Sequence, residues 1–174
     1  MAKLSTLIFI FAIITYIHAV PLNVNKLNNR ANDGSLTVTV ESEEVFCSFL
    51  PRTQKESIGA SEGDAIPFCT ANTPNAPNVF PDGFIKSKHF TQGENFVQVT
   101  GTIDSSLYVD STDGGGQYDT NAPSGALCAG FNKFVNLVEP DNGHFCIRCC
   151  NDGASCDVGR SEAGCESIIP GDYS

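Results

Sequence analysis

The sequence contains no tryptophan, and its single methionine is the initiator. Basic side chains are scarce: 10 Lys and Arg stand against 20 Asp and Glu, a net charge of −10 with neutral histidines. That deficit argues against nucleic acid or an anionic membrane surface as partner, since both reward clustered Lys and Arg. Three histidines leave little material for base catalysis. No Asn-x-Ser/Thr acceptor occurs, because Asn72-Thr73-Pro74 lacks the hydroxyl at its third position, so N-glycosylation is not expected. Apolar residues are not lacking. With 41% hydrophobic residues and 12 Phe, the chain has the material for a core and not the composition of a disordered segment.

A long apolar run occurs once, at the N-terminus. Lys3 precedes Leu4 to Ile17, 14 residues interrupted only by Ser5, Thr6 and Thr15, with the small Ala19 and then Pro21 beyond it. A membrane-spanning helix needs about 20 apolar residues. The shorter run and its flanks predict a secretory signal peptide over residues 1–19, and hence a secreted, extracellular protein with no membrane insertion after cleavage. Cleavage would remove Lys3 and no acid, leaving 155 residues, a net charge of −11 and all eight cysteines. Residues 20–34 carry five Asn and no periodicity, and read as a flexible polar leader in which Arg30 is open to two readings, a processing site or, the better one, part of a solvated arm. Residues 35–174 are then one disulfide-stapled, β-rich domain, long enough to bury roughly 68–70% of its unfolded surface.

Within that domain, period-two alternation recurs. Leu36, Val38 and Val40 alternate with Thr37, Thr39 and Glu41, and Val97, Val99 and Ile103 oppose Gln98, Thr100 and Thr102. Both patterns predict half-buried strands with a polar face toward solvent. Val45 to Leu50 continues as a second apolar segment. Five prolines between Pro51 and Pro81 forbid long helices and central strands, leaving only a short helix over 62–69 as an option. Ala126 to Glu139 fits a helical stripe through Leu127, Phe131, Phe134 and Val138. It ends, however, in Pro140-Asp141-Asn142-Gly143, which is hairpin-turn chemistry. A hairpin returning through His144 to Cys149 is the better reading. The predicted fold class is mainly β: a single β-sandwich- or barrel-like domain with long loops pinned by disulfides, of which Asp113-Gly114-Gly115-Gly116 is the most flexible.

Cysteines lie at Cys47, Cys69, Cys128, Cys146, Cys149, Cys150, Cys156 and Cys165, five of them within the last 29 residues. An even number in an exported chain predicts four disulfides, for which 105 connectivities exist. One constraint follows from geometry. On a strand, Cys149 and Cys150 point to opposite faces and must take different partners. Cys146-Ile147-Arg148-Cys149 matches a redox spacing without the surrounding βαβ pattern, and a zinc site built from Cys146, Cys149, Cys156 and Cys165 is disfavoured in an oxidising compartment.

No catalytic constellation emerges. His89 and His144, the two histidines beyond the signal segment, read as exposed strand residues, and neither a Gly-x-Ser-x-Gly elbow nor a His-Glu-x-x-His helix is present. Asp104, Asp110, Asp113 and Asp119 surround the glycine loop without EF-hand spacing, which favours a solvated acidic loop over a calcium site. No cofactor or metal is expected. Tyr108, Tyr118 and Asp119 form a possible ligand surface, tyrosine offering an apolar face with a polar tip.

Phe80-Pro81-Asp82-Gly83-Phe84-Ile85, Gln98-Val99-Thr100-Gly101, Gly116-Gln117-Tyr118-Asp119, Cys146-Ile147-Arg148-Cys149-Cys150 and Ile169-Pro170-Gly171-Asp172-Tyr173 resemble stretches of small secreted cysteine-rich proteins of filamentous fungi. The resemblance spans about residues 45–174. It implies a fungal, extracellular setting and carries over no functional residue. The expected function is non-catalytic binding at the cell surface or a host interface, in the manner of an effector. The alternatives are a cell-wall carbohydrate-binding protein or glycoside hydrolase with two carboxylates, and a protease inhibitor presenting the loop from Asp110 to Pro123. The partner is accordingly an extracellular protein or a wall polysaccharide.

Overall fold

The computed structural model describes residues 36–174; the predicted signal peptide (1–19) and leader (20–34) lie outside the described residues. The alternating segments become the strands of a five-stranded antiparallel sheet. In chain order these are β4 (His89–Gln92), β5 (Phe96–Thr102), β6 (Gly116–Asp119), β8 (Lys133–Glu139) and β9 (His144–Cys150), arranged in the order β4-β5-β9-β8-β6. Two smaller sheets accompany it. Strands β2 (Cys47–Leu50) and β3 (Ile66–Cys69) pair antiparallel, and β1 (Thr37–Val38) and β7 (Leu127–Cys128) pair parallel. The fold is mainly β, as expected, and open: β4 and β6 are edges of the large sheet, which does not close into a barrel. The only α-helical turn among the described residues is α1 (Cys165–Ile168).

The expected hairpin forms. β8 and β9 pair over their full length through the Pro140–Gly143 turn, where Gly143 adopts φ +66°. The option of a helix over 62–69 fails, because Ile66–Cys69 is β3. Pro67 sits there opposite Phe49, at a position where the Phe49 N–H points away from β3 and donates instead to Asn136 Oδ1 at 2.6 Å. A missing proline N–H therefore leaves no ladder bond unmade.

Side-chain alternation splits the interior in two. Phe145, Ile147 and Cys149 of β9, Phe134 and Val138 of β8, Val97 and Val99 of β5, and Tyr118 of β6 face the main core, against β2 and β3. Phe49 stacks on Phe134 with ring centroids 5.4 Å apart, and Phe46 on Phe145 at 5.8 Å, so aromatic pairs join the small sheet to the large one. Each fully buried phenylalanine contributes about 1.5–3 kcal/mol by apolar burial.

The opposite face of the same sheet does not meet solvent. Val135, Leu137, Cys146 and Cys150 form a second apolar cluster with Cys156, Cys165, Ile168 and Ile169 of the C-terminal segment. Here the expected polar, solvent-facing side of β5 is corrected: Gln98 is 1% exposed and Thr100 0%. The glycine loop is also tied down more than its three glycines suggest. Asp113 accepts the N–H of Gly115 at 2.7 Å and of Ile58 at 3.0 Å, and its carbonyl accepts from Asp141.

All eight cysteines are paired: Cys47–Cys69, Cys128–Cys149, Cys146–Cys165 and Cys150–Cys156. Cys149 and Cys150 do take different partners. The odd-numbered Cys149 serves the main core, whereas Cys146 and Cys150 tie the C-terminal segment over the second face.

Candidate functional site

The covered face of β5 is where the chemistry-bearing side chains converge. At its centre Arg148 of β9 donates from Nε (2.9 Å) and Nη2 (2.6 Å) to Gln98 Oε1, and from Nη1 to the Ser155 carbonyl at 3.0 Å. Its guanidinium lies 4.4 Å above the centre of the Phe96 ring. Burial presses the Arg148 pKa down, but a guanidinium stays charged. Because Arg148 occupies the amide oxygen, Gln98 presents its NH2 outward, to the Pro170 carbonyl at 3.0 Å. Two residues along, Thr100 donates to the Asp172 carbonyl at 2.7 Å. His89 of β4, opposite Thr100 in the register, places Nε2 3.0 Å from the Ser174 backbone oxygen and 3.7 Å from Asp172 Oδ1.

An open groove of about 760 Å³ lies beside this contact, lined by His144, Glu166 and residues 170–174. The His144 ring rests against Tyr173 at 5.0 Å, and its Nδ1 is 3.8 Å from Glu166 Oε1. The Tyr173 hydroxyl donates to the Ile169 carbonyl at 2.7 Å, and burial pushes its pKa upward. The Asp172 carboxyl accepts the Ser174 N–H at 2.8 Å, which holds its pKa below the usual 3.8. Both histidines read as exposed are thus half-buried and engaged with the C-terminal segment, His89 through Asp172 and Ser174 and His144 through Glu166 and Tyr173.

The expected tyrosine surface does not assemble. Tyr118 is 0% exposed, its ring 5.9 Å from Phe49 and its hydroxyl hydrogen-bonded to Ser61 at 2.8 Å. Asp119 is buried too, accepting from Asn121 N and Gln117 Nε2. Tyr108, half-buried, donates to the Pro51 carbonyl and packs on Phe68. Apolar core packing outranks sugar stacking for a tyrosine on an inward strand position.

The four aspartates of the acidic loop act as local caps. Asp104 accepts from Ser106 and Asp110 from Thr112, and these bonds lower both carboxyl pKa values. Among the described residues no group of three or more His, Cys, Asp or Glu is placed to hold a metal ion. The stretch from Asp110 to Pro123 runs into the buried strand β6 and is not one exposed loop. Gln98, Thr100, Arg148 and the partner segment 170–174 are the site residues that sequence reasoning passed over. Cysteine positions alone left their placement open; it is the pairing of Cys146 with Cys165 and of Cys150 with Cys156 that returns that segment onto this face.

With this geometry in view, the comparisons with known proteins give one direction. The chain is similar to fungal appressorium proteins. It is 27% identical over 157 residues to the appressorium protein ROW1 of Mycosarcoma maydis, covering 79% of this chain and 37% of that protein. To the appressorium protein ROW2 of the same fungus it is 27% identical over 92 residues, 51% of this chain and 31% of that protein. The chain spans about a third of the length of these curated relatives. No family model and no solved structure matches it. The likeness supports the fungal side of the resemblance, and the four disulfides make this a cysteine-rich chain. No helix among the described residues is long and apolar enough to cross a membrane.

Proposed function

We propose that this is a secreted, non-catalytic binding protein that works outside a fungal cell, at its surface or where it meets a host, in the manner of an effector. The observation that carries the reading is the likeness to two appressorium proteins in a chain whose cysteines are all paired. Persistent disulfides belong to oxidising, extracellular settings. The partner is an extracellular protein in preference to a wall polysaccharide, because Tyr118 is buried and the Tyr108 hydroxyl is committed to the backbone.

The test is expression of the tagged chain in a filamentous fungus. It should reach the culture fluid or wall fraction shortened by residues 1–19 and with no free thiol; retention in the cytosol at full length would refute the proposal. Incubation of the purified protein with insoluble chitin, β-glucan and cellulose should neither deplete it nor release sugar. Depletion would favour the wall-polysaccharide reading, and sugar release a hydrolase.

A further inference from the structure

Three backbone oxygens on alternate residues of the C-terminal segment, Pro170, Asp172 and Ser174, each meet a side chain of the sheet: Gln98 Nε2, Thr100 Oγ1 and His89 Nε2. Contacts of this kind recognise a peptide main chain by its spacing and leave side-chain choice to the surroundings. The surroundings are selective. A Cβ at Gly171 would stand 2.7 Å from Thr100 Oγ1, 2.8 Å from its Cγ2 and 3.1 Å from Gln98 Nε2, so that position admits only glycine. The residue after it brings a carboxylate to His89, and the next lays an aromatic ring on His144. The floor is rigid, because Arg148, itself seated on Phe96, fixes which end of the Gln98 amide faces outward.

The occupying segment is held differently from the chain before it. Cys165, Ile168 and Ile169 are buried and anchored by the Cys146–Cys165 disulfide, whereas Pro170, Gly171, Asp172 and Ser174 are exposed and Tyr173 is half-buried. Tyr173 is the one residue of 170–174 that packs against the second apolar cluster, so the segment can leave the sheet at the cost of that contact while Cys165, Ile168 and Ile169 stay seated. We propose that this face of β4 and β5 is a peptide-binding groove, filled here by the chain's own residues 170–174, and that its ligand in trans is a short segment of the pattern Pro-Gly-acidic-aromatic from another protein. A short tether gives the resident segment an effective concentration on the order of millimolar. A peptide with equal contacts competes with it in the unaltered protein only at a comparable, millimolar concentration, and binds at lower concentration once the resident contact is weakened. The inference deepens the reading of a binding protein. Its test is made in solution, so it can fail while the extracellular location stands, and the reverse.

The test uses the purified full chain with Gly171→Val, in which the added side chain meets the stiff, buried Thr100 and pushes residues 170–174 off the sheet. The peptide Ile-Pro-Gly-Asp-Tyr-Ser is titrated calorimetrically into this variant and into the unaltered protein, alongside the same peptide with valine in place of glycine. The variant should bind the glycine peptide at least tenfold more tightly than the unaltered protein does, and the valine peptide at neither should register. Adding Thr100→Val to the variant should weaken binding further by roughly tenfold, the effect of one lost hydrogen bond. A folded Gly171→Val protein that takes up the glycine peptide no better than the unaltered one would overturn the proposal. If that variant does not fold, nuclear magnetic resonance of the unaltered protein decides. Millimolar glycine peptide should shift the signals of His89, Gln98, Thr100 and residues 170–174 together, and unmoved signals at those positions would equally overturn it.

Discussion

Replacing Asn136 by alanine should destabilise the protein more than any other single removal of a polar side chain outside the disulfides. Asn136 lies on the core face of β8 and is 0% exposed. Its Oδ1 accepts from Phe49 N at 2.6 Å and Ser48 Oγ at 3.1 Å, and its Nδ2 donates to the Cys146 carbonyl at 2.9 Å. The amide thus joins β2 to the middle of the large sheet. The terms are unequal. Ser48 retains the Phe49 carbonyl at 3.3 Å as a partner, and a carbonyl that keeps one of two acceptor sites filled loses little. The Phe49 N–H has no such recourse, because Pro67 lies opposite it in β3 and the N–H faces away from that strand. An orphaned buried donor costs about 1–3 kcal/mol. With the small void left by the amide, the total comes to about 2–4 kcal/mol. Equilibrium urea unfolding with disulfides intact should show the midpoint fall without a change in slope. Ser48→Ala, which leaves Phe49 N bonded, should cost under about 1 kcal/mol by the same measure. An Asn136→Ala protein within about 1 kcal/mol of the parent would refute the assignment of Phe49 N as the dependent donor.

Three further outcomes are expected. Removing the Cys47–Cys69 bridge (sequence separation 22) by paired serine substitution should cost about 3.4 kcal/mol on chain-entropy grounds, against about 2.2 kcal/mol for Cys150–Cys156 (separation 6), and unfolding curves that reverse this order would contradict it. Tyr108, Tyr118 and Tyr173 all have pKa values raised by burial, so the stability they lend is present below the ordinary value of 10 and is lost as pH rises through the folded values. In the chain without residues 1–19, and so without Tyr16, phenolate absorbance should accordingly appear only above pH 10 and together with loss of near-ultraviolet dichroism; ionisation of Tyr118 in the folded protein at its ordinary value would be inconsistent with its burial. At the acid end Asp104, Asp110, Asp152 and Asp172 are held below 3.8 by N–H and hydroxyl donors, so their contribution persists above that value and is lost as pH falls through the lower folded values. The urea midpoint should therefore be unaffected by these groups from neutrality down to about pH 5 and decline progressively below it.

What could be read from the sequence was whatever rests on local pattern. Val97 and Val99 marked the inward face of β5, with Ile103 just past its end, and Pro140 to Gly143 marked the hairpin, because alternation and turn chemistry act within a few residues. The tyrosine surface was illegible for the converse reason. Tyr118 alternates with Gln117 and Asp119 on β6, and the pattern alone does not say which side has a second layer above it. Gln98 and Thr100 show the same gap: a polar residue on a strand faces either water or a polar partner, and the partner here is more than seventy residues away.

The missing step lay in the cysteine pairing, which the positions alone leave open. On β9 the residues 145, 147 and 149 point one way and 146, 148 and 150 the other. The last two cysteines, Cys156 and Cys165, pair with Cys150 and Cys146, so the segment carrying them has to cross the face that also bears Arg148. A strand bearing a charged guanidinium beside two buried disulfides needs acceptors there, since an unpaired buried charge is far more costly than an unpaired amide. Gln98 supplies one and the Ser155 carbonyl another, and Gln98, once turned by Arg148, is left with donors that must find carbonyls beyond the sheet. The polar residues of β5 are therefore half of a contact whose other half is a peptide backbone. This is why the face that looked solvent-exposed is covered by residues 170–174.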